Sequence, residues 1–170
     1  ILHLMKKGIS PNDTLVANRR ARQHNITPVF AFMAGWPSET WEEICQTLEL
    51  ARALRRENPR AVLDPLSPVT PIPGTPLWEE ALTLGLKPPE TLEGWGEWEF
   101  GNYDTSDKRM PWLSADDRRR IYSLCRTWFK AYSRAHTLDG IKSRHLRAMA
   151  KISYTPMTTF YQWQLERVLS

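Results

Sequence analysis

Cysteine is scarce in this chain. Two residues, Cys45 and Cys125, stand far apart in 170, each within a helical pattern. That excludes a secreted disulfide framework and points to a reducing cytoplasm. The four histidines (His3, His24, His136, His145) share no spacing that suits a metal, and neither cysteine has a CxxC partner, so a metal site within the chain is not expected. No apolar run approaches the roughly 20 residues of a membrane helix, and no signal peptide opens the sequence. GxSxG elbows, Walker loops, GxGxxG fingerprints, solenoid repeats and low-complexity tracts are all absent. What is present is a globular composition, 41% hydrophobic and 25% charged, of a length that suits one domain with a sizeable core. The sequence begins at Ile1 inside a helical pattern, which reads as a piece of a longer polypeptide.

Charge is uneven. From Lys108 to Lys151 twelve Lys/Arg face three acids, whereas from Glu79 to Asp104 seven acids face Lys87 alone. A basic stretch of this kind permits a nucleic-acid or acidic-protein partner. Solvated helix faces, packed against the acidic segment, are the plainer reading, because no signature of the common RNA-binding modules occurs.

Ile1 to Gly8 reads as the end of a helix. Ser10-Pro11 then supplies an N-cap with proline at the first helical position, for a helix to Gln23 or His24 with Leu15 and Val16 inward. Asn25 suits a left-handed C-cap. Thr27 to Ala34 is near-continuously apolar, the pattern of a strand covered on both faces. Thr40 and Glu43 form a capping box, followed by the stripe Trp41, Ile44, Leu48, Ala51 and Leu54. Asn58-Pro59 ends that helix. Ala61 to Val69 is the next strand, with Pro65 and Pro68 arguing against a central place in a sheet. Leu77 to Leu84 is a short helix closed by Gly85. Between Lys87 and Pro111 periodicity disappears, and Trp95, Trp98, Phe100, Tyr103 and Trp112 read as anchors of an ordered loop. Ser114 with Asp117 caps a further helix with the face Ile121, Leu124, Cys125, Trp128 and Tyr132. A basic helix from about Gly140 to Ile152 and a last one from Pro156 to Leu169 complete the expectation.

Two segments carry the chemistry. Phe30 to Thr40 leaves a strand through Gly35-Trp36-Pro37-Ser38-Glu39 into a capped helix. Gly35 allows close backbone approach, Pro37 stiffens the turn, and the free amides of the next helix attract an anion. Glu39 could accept hydrogen bonds from an amine or a ribose. Pro71 to Pro76 repeats the device, with Gly74 and with Thr75 as N-cap. Either turn alone reads as a plain strand-to-helix loop. In tandem they place two loops at the carboxyl ends of parallel strands, where ligands of α/β folds bind. Glu79-Glu80 and Asp116-Asp117 are helix-terminal charges rather than catalytic pairs.

The series Leu4 to Ser10, Asn25-Ile26-Thr27-Pro28, Phe32 to Thr40 and Pro71 to Leu77 resembles the second half of a radical S-adenosylmethionine (SAM) domain. The cobalamin-domain-associated class is the nearest, the group that includes anaerobic magnesium-protoporphyrin ester cyclases and many Fe-S oxidoreductases. The likeness covers about Ile1 to Trp98. Ser38 and Trp36 depart from the family's Gly-x-Pro-Gly-Glu-Thr turn, and the Cys-x3-Cys-x2-Cys motif that holds the 4Fe-4S cluster is absent. The resemblance implies the α/β fold of the C-terminal portion of a partial (β/α)6 barrel (1–98), then an aromatic loop (99–113) and a helical extension (114–170). It implies a parent enzyme that uses SAM and a 4Fe-4S cluster, with cobalamin as the further cofactor associated with this class. The N-terminal half of the barrel would be its structural partner, and the substrate is unknown. Met33, Ala34, Gly35 and Pro37 would lie near the adenine, with Glu39 in the same loop. Thr70, Pro73, Gly74 and Thr75 would border the pocket, and the aromatic loop would cover the substrate. Without cluster ligands, the fragment by itself would hold neither cluster nor catalysis. The competing reading is a binding module that presents helices from Arg118 to Lys151 to nucleic acid or an acidic protein.

Overall fold

Residues 1–98 and 103–139 are described in a computed structural model, with side chains as far as Thr127. The expected helices after Gly140 and the side chains of Phe100, Trp128 and Tyr132 lie outside the described residues. Within them the protein is mixed α/β: five helices and a two-stranded parallel sheet.

Helix α1 (Pro11–Gln23) starts on a complete capping box between Ser10 and Asp13, and Asn25 follows it at φ 58°. Strand β1 (Val29–Ala34) leads to α2 (Trp41–Glu57), whose box between Thr40 and Glu43 is also complete. Strand β2 (Val62–Pro68) pairs in parallel with β1. Parallel neighbours cannot be joined by a tight turn, so α2 is the required crossover. Helix α3 (Pro76–Thr83) is capped by Thr75, a short α4 (Leu92–Gly96) by Thr91, and α5 (Ala115–Asp139) closes the described chain.

Ile44, Leu48, Ala51 and Leu54 form the buried stripe of α2 and meet Ala34, Leu63 and Leu66 of the sheet and Ile121, Leu124 and Cys125 of α5 in one core. Burying a leucine of this kind stabilises by roughly 1.5–3 kcal/mol. Leu63 and Leu66 are three residues apart, and regular alternation would send them to opposite faces. An irregularity opposite Ala31 pairs Phe30 with Leu63 and Phe32 with Leu66, so both leucines stay on the covered face. Pro65 sits at that irregularity, where a missing amide costs least.

Three expectations change. Ile1 to Gly8 is a set of turns rather than a helix end, with Lys6 and Gly8 at positive φ. The stretch read as uniformly loop contains α4. Strand β1 is not covered on both faces: Phe30, Phe32 and Ala34 pack inward, while Val29 is 61% and Met33 42% exposed. The packed helices cover one face of the pair, and continuous hydrophobicity cannot say how many faces are covered. The expected α/β class holds, and the described residues show two parallel strands of it, not a barrel.

Candidate functional site at the strand exits

β1 and β2 end side by side. The Val69 amide donates to the Ala34 carbonyl at 2.9 Å, one step past the last strand pair, Ala34 with Pro68. Gly35 follows at φ 95°, a conformation other residues rarely adopt. The Glu39 carboxylate then reaches back: its Oε2 accepts the Gly35 amide at 2.6 Å and the Trp36 amide at 3.3 Å. Burial pushes the Glu39 carboxyl above its ordinary range, and the two amide hydrogen bonds pull against that shift without reversing it. Glu43, one turn on, moves the other way. The Thr40 amide holds its carboxyl below the ordinary value of 4.5.

The β2 exit is built from its own backbone. Gly74 has φ 81°, the Thr75 amide and Oγ1 both donate to the Ile72 carbonyl, and Thr75 Oγ1 accepts the Trp78 amide at 3.2 Å. Gly74 is exposed, and a Cβ there would meet nothing within 4 Å, so only its backbone conformation calls for glycine.

A third segment ties the exits together. The Trp112 indole Nε1 donates to the Gly35 carbonyl at 2.9 Å, and the Trp98 Nε1 to the Pro71 carbonyl at 3.2 Å. Met110, fully buried, packs with Val69, Leu77, Trp36 and Trp112. Its Cε lies where a Cβ on Gly35 would stand, far inside van der Waals contact, with Ile121 Cδ1 at 3.3 Å. Trp78, Trp95 and Trp98 pack on one another, ring centroids 5.8–6.1 Å apart. The Arg109 guanidinium stacks 3.8 Å from the Trp98 ring centre and pairs with Asp104 at 3.3 Å.

The predicted site residues therefore divide. Ala34 and Gly35 are buried, and the Met110 side chain fills the space beside Gly35. Glu39 Oε2 and Thr75 Oγ1 make hydrogen bonds within their own loops. Pro37 and Thr70 are half-buried. Met33, Pro73 and Gly74 are open, and Ser67 lies directly beside Met33 on the uncovered sheet face. Trp112 is one of the expected loop anchors, and the Gly35 carbonyl is what it holds, whereas nothing in the sequence singles out Met110. A groove of about 930 Å³ lies apart from the exits, lined by residues that include Tyr103, Asp107, Arg118 and Tyr122. The buried Ser106 Oγ, also on its wall, has no hydrogen-bond partner among the described residues.

Residue comparison adds one relative. Over 86 residues the chain is 33% identical to an uncharacterized methyltransferase of Pyrococcus horikoshii. The match covers 51% of this chain and 18% of that protein, so this chain corresponds to under a fifth of its relative's length. The chain is similar to a methyltransferase. No protein-family profile and no solved structure matches it. Among the described residues no group of three His, Cys, Asp or Glu could hold a metal ion, and no helix is long and apolar enough to cross a membrane. Of the basic stretch expected as a binding module from Arg118 to Lys151, the part to Asp139 lies on α5, and residues 140–151 lie outside the described residues.

Proposed function

We propose that the chain is part of a SAM-dependent enzyme of the radical SAM class, in which it supplies two adjacent strand exits of a partial (β/α)6 barrel. One observation carries the reading. Two parallel strands end together, and both leave through glycine turns at positive φ into capped helices. That is the geometry by which α/β folds present ligands at the carboxyl ends of strands. The likeness to a methyltransferase supports SAM as the ligand, since SAM is the common methyl donor of such enzymes.

The residues present do not fit a 4Fe-4S cluster. Three thiolates are needed, and the chain has two cysteines, one of them buried on α5 with its thiol pushed up to about 12. Cluster ligands, and any cobalamin site, belong elsewhere in the parent enzyme. This chain's part is binding and orientation. Met33 offers a soft apolar surface to the adenine, Ser67 beside it a hydroxyl, and the open Pro73-Gly74 backbone a rim. Glu39 keeps the β1 exit rigid.

The test uses the full-length protein and radiolabelled SAM in equilibrium dialysis. Met33→Glu sets a carboxylate against the adenine and should weaken binding at least about tenfold, or ~1.4 kcal/mol. Circular dichroism should not change, because Met33 is 42% exposed. A full-length protein that lacks Cys-x3-Cys-x2-Cys upstream, or that binds SAM equally well as Met33→Glu, would remove the reading.

A further inference from the structure

The opposite end of the sheet carries a different chemistry. Helices α1 and α2 each run into the amino end of a strand, so their last turns lie together there, about 20 Å along the strands from Gly35. Asn18 and Asn58 join them: the Asn18 side chain donates to the Leu54 carbonyl at 2.9 Å, and the Asn58 amide donates to Asn18 Oδ1 at 3.2 Å. Residues 15–25 and 49–61, which make up this end, hold seven arginines (Arg19, Arg20, Arg22, Arg52, Arg55, Arg56, Arg60), no lysine, and two acids, Glu49 and Glu57.

Cations in the last turn of a helix complement its dipole, and that accounts for part of the cluster. Arg22 and Arg55 donate to the carbonyls of Glu57 and Ala61, and Arg19 pairs with Glu57 at 3.3 Å. It does not account for the remainder. Arg60 lies outside any helix and donates to the neutral oxygens of Asn25 and Thr27, so its charge is not compensated there. Arg20 and Arg56 are exposed, and their side chains have no hydrogen-bond or ion-pair partner among the described residues. A surplus of five positive charges thus sits on one end, presented by planar guanidinium groups that match phosphate oxygens two at a time.

We infer that this end is a docking surface for a nucleic-acid backbone. The contacts are to phosphates, so affinity arises from charge and counterion release rather than base sequence. An acidic protein is the less suitable occupant, because protein interfaces gather aromatic side chains and methionine beside arginine at their centre, and residues 15–25 and 49–61 hold no Phe, Trp, Tyr or Met. The inference does not depend on SAM binding at the other end of the strands.

Fluorescence anisotropy of the whole chain with a labelled 20-nucleotide RNA, and with DNA of the same sequence, tests it. With about five phosphate contacts, affinity should fall on the order of a hundredfold between 50 and 200 mM salt. Arg20→Gln with Arg56→Gln should weaken binding about tenfold at 50 mM and flatten the salt slope by roughly 1.5. Circular dichroism and melting temperature should hold, while Arg118→Gln with Arg119→Gln should bind as the parent does. RNA and DNA should bind within a few-fold of each other. Four results would overturn the inference: no binding at 50 mM salt, loss through Arg118 and Arg119 instead, a hundredfold preference for one nucleic acid, or equal competition by polyglutamate.

Discussion

Gly35→Ala tests how the β1 exit is held. The native φ of 95° costs an L-residue about 1–3 kcal/mol. The new methyl would also fall on the Met110 Cε, which must move. Methionine adapts well, but Met110 is fully buried among Val69, Leu77, Trp36 and Trp112, and overpacking such a site costs about 1–3 kcal/mol more. The expected loss is therefore about 2–6 kcal/mol, read from urea or thermal unfolding. Met110→Ala alone should cost about 2–5 kcal/mol as a cavity. The double variant separates the two causes, since the methyl added at Gly35 occupies space that the shortened Met110 side chain vacates. Its cost should fall short of the sum by at least ~1 kcal/mol, a coupling expected only of residues in contact. A loss below about 0.5 kcal/mol for Gly35→Ala, or strict additivity in the double variant, would refute the packing argument. The same reasoning makes a bulky side chain in place of Gly35 a poor probe of ligand affinity, because folding is lost first.

Further outcomes follow from individual contacts. Asn18→Ala takes one of two donors from the Leu54 carbonyl, which keeps the Asn58 backbone amide at 3.0 Å, and leaves the Asn58 side-chain amide only its 3.5 Å bond to the Asn18 carbonyl, at about 1–3 kcal/mol in chemical denaturation; a cost under 0.5 kcal/mol would mean that water replaces the lost bonds. Thiol titration with an aromatic disulfide at pH 8 should show Cys45 reacting slowly and Cys125 only after unfolding, since burial raises both thiols and keeps that of Cys125 neutral up to about 12. Two equally fast thiols would contradict the core. In acid the two carboxyls of the β1–α2 junction act oppositely. Glu43 is stabilising above its ordinary 4.5, and that contribution disappears as pH falls through its lowered value, so wild type and Glu43→Gln should converge below pH 4.5. Glu39 has a raised value, so wild type should lose ground to Glu39→Gln as pH rises from 4.5 upward. Melting temperatures across pH 3–7 distinguish the two; parallel curves would show that neither carboxyl is perturbed.

The local rules in the sequence were sufficient for the elements themselves. Ser10 ahead of Pro11, Thr40 with Glu43 and Thr75 ahead of Pro76 fixed where helices start, because a cap is a contact within four residues. The stripe from Ile44 to Leu54 fixed which face of α2 is buried, and the two glycine turns fixed where the strands end. Position along the chain could not say what lies against Gly35. A glycine beside a ligand and a glycine beside a buried methionine look the same in sequence, and Met110 reaches that glycine from 75 residues downstream. Nor could hydrophobicity alone tell a strand covered twice from β1, which has one open face. The arginine-rich end shows the same limit. Its two halves, around Arg20 and Arg56, are separate charge runs until the parallel pairing of β1 and β2 sets the ends of α1 and α2 side by side. Contacts within a turn are written in the sequence, whereas contacts across the fold exist only once burial has chosen which distant groups must share one space.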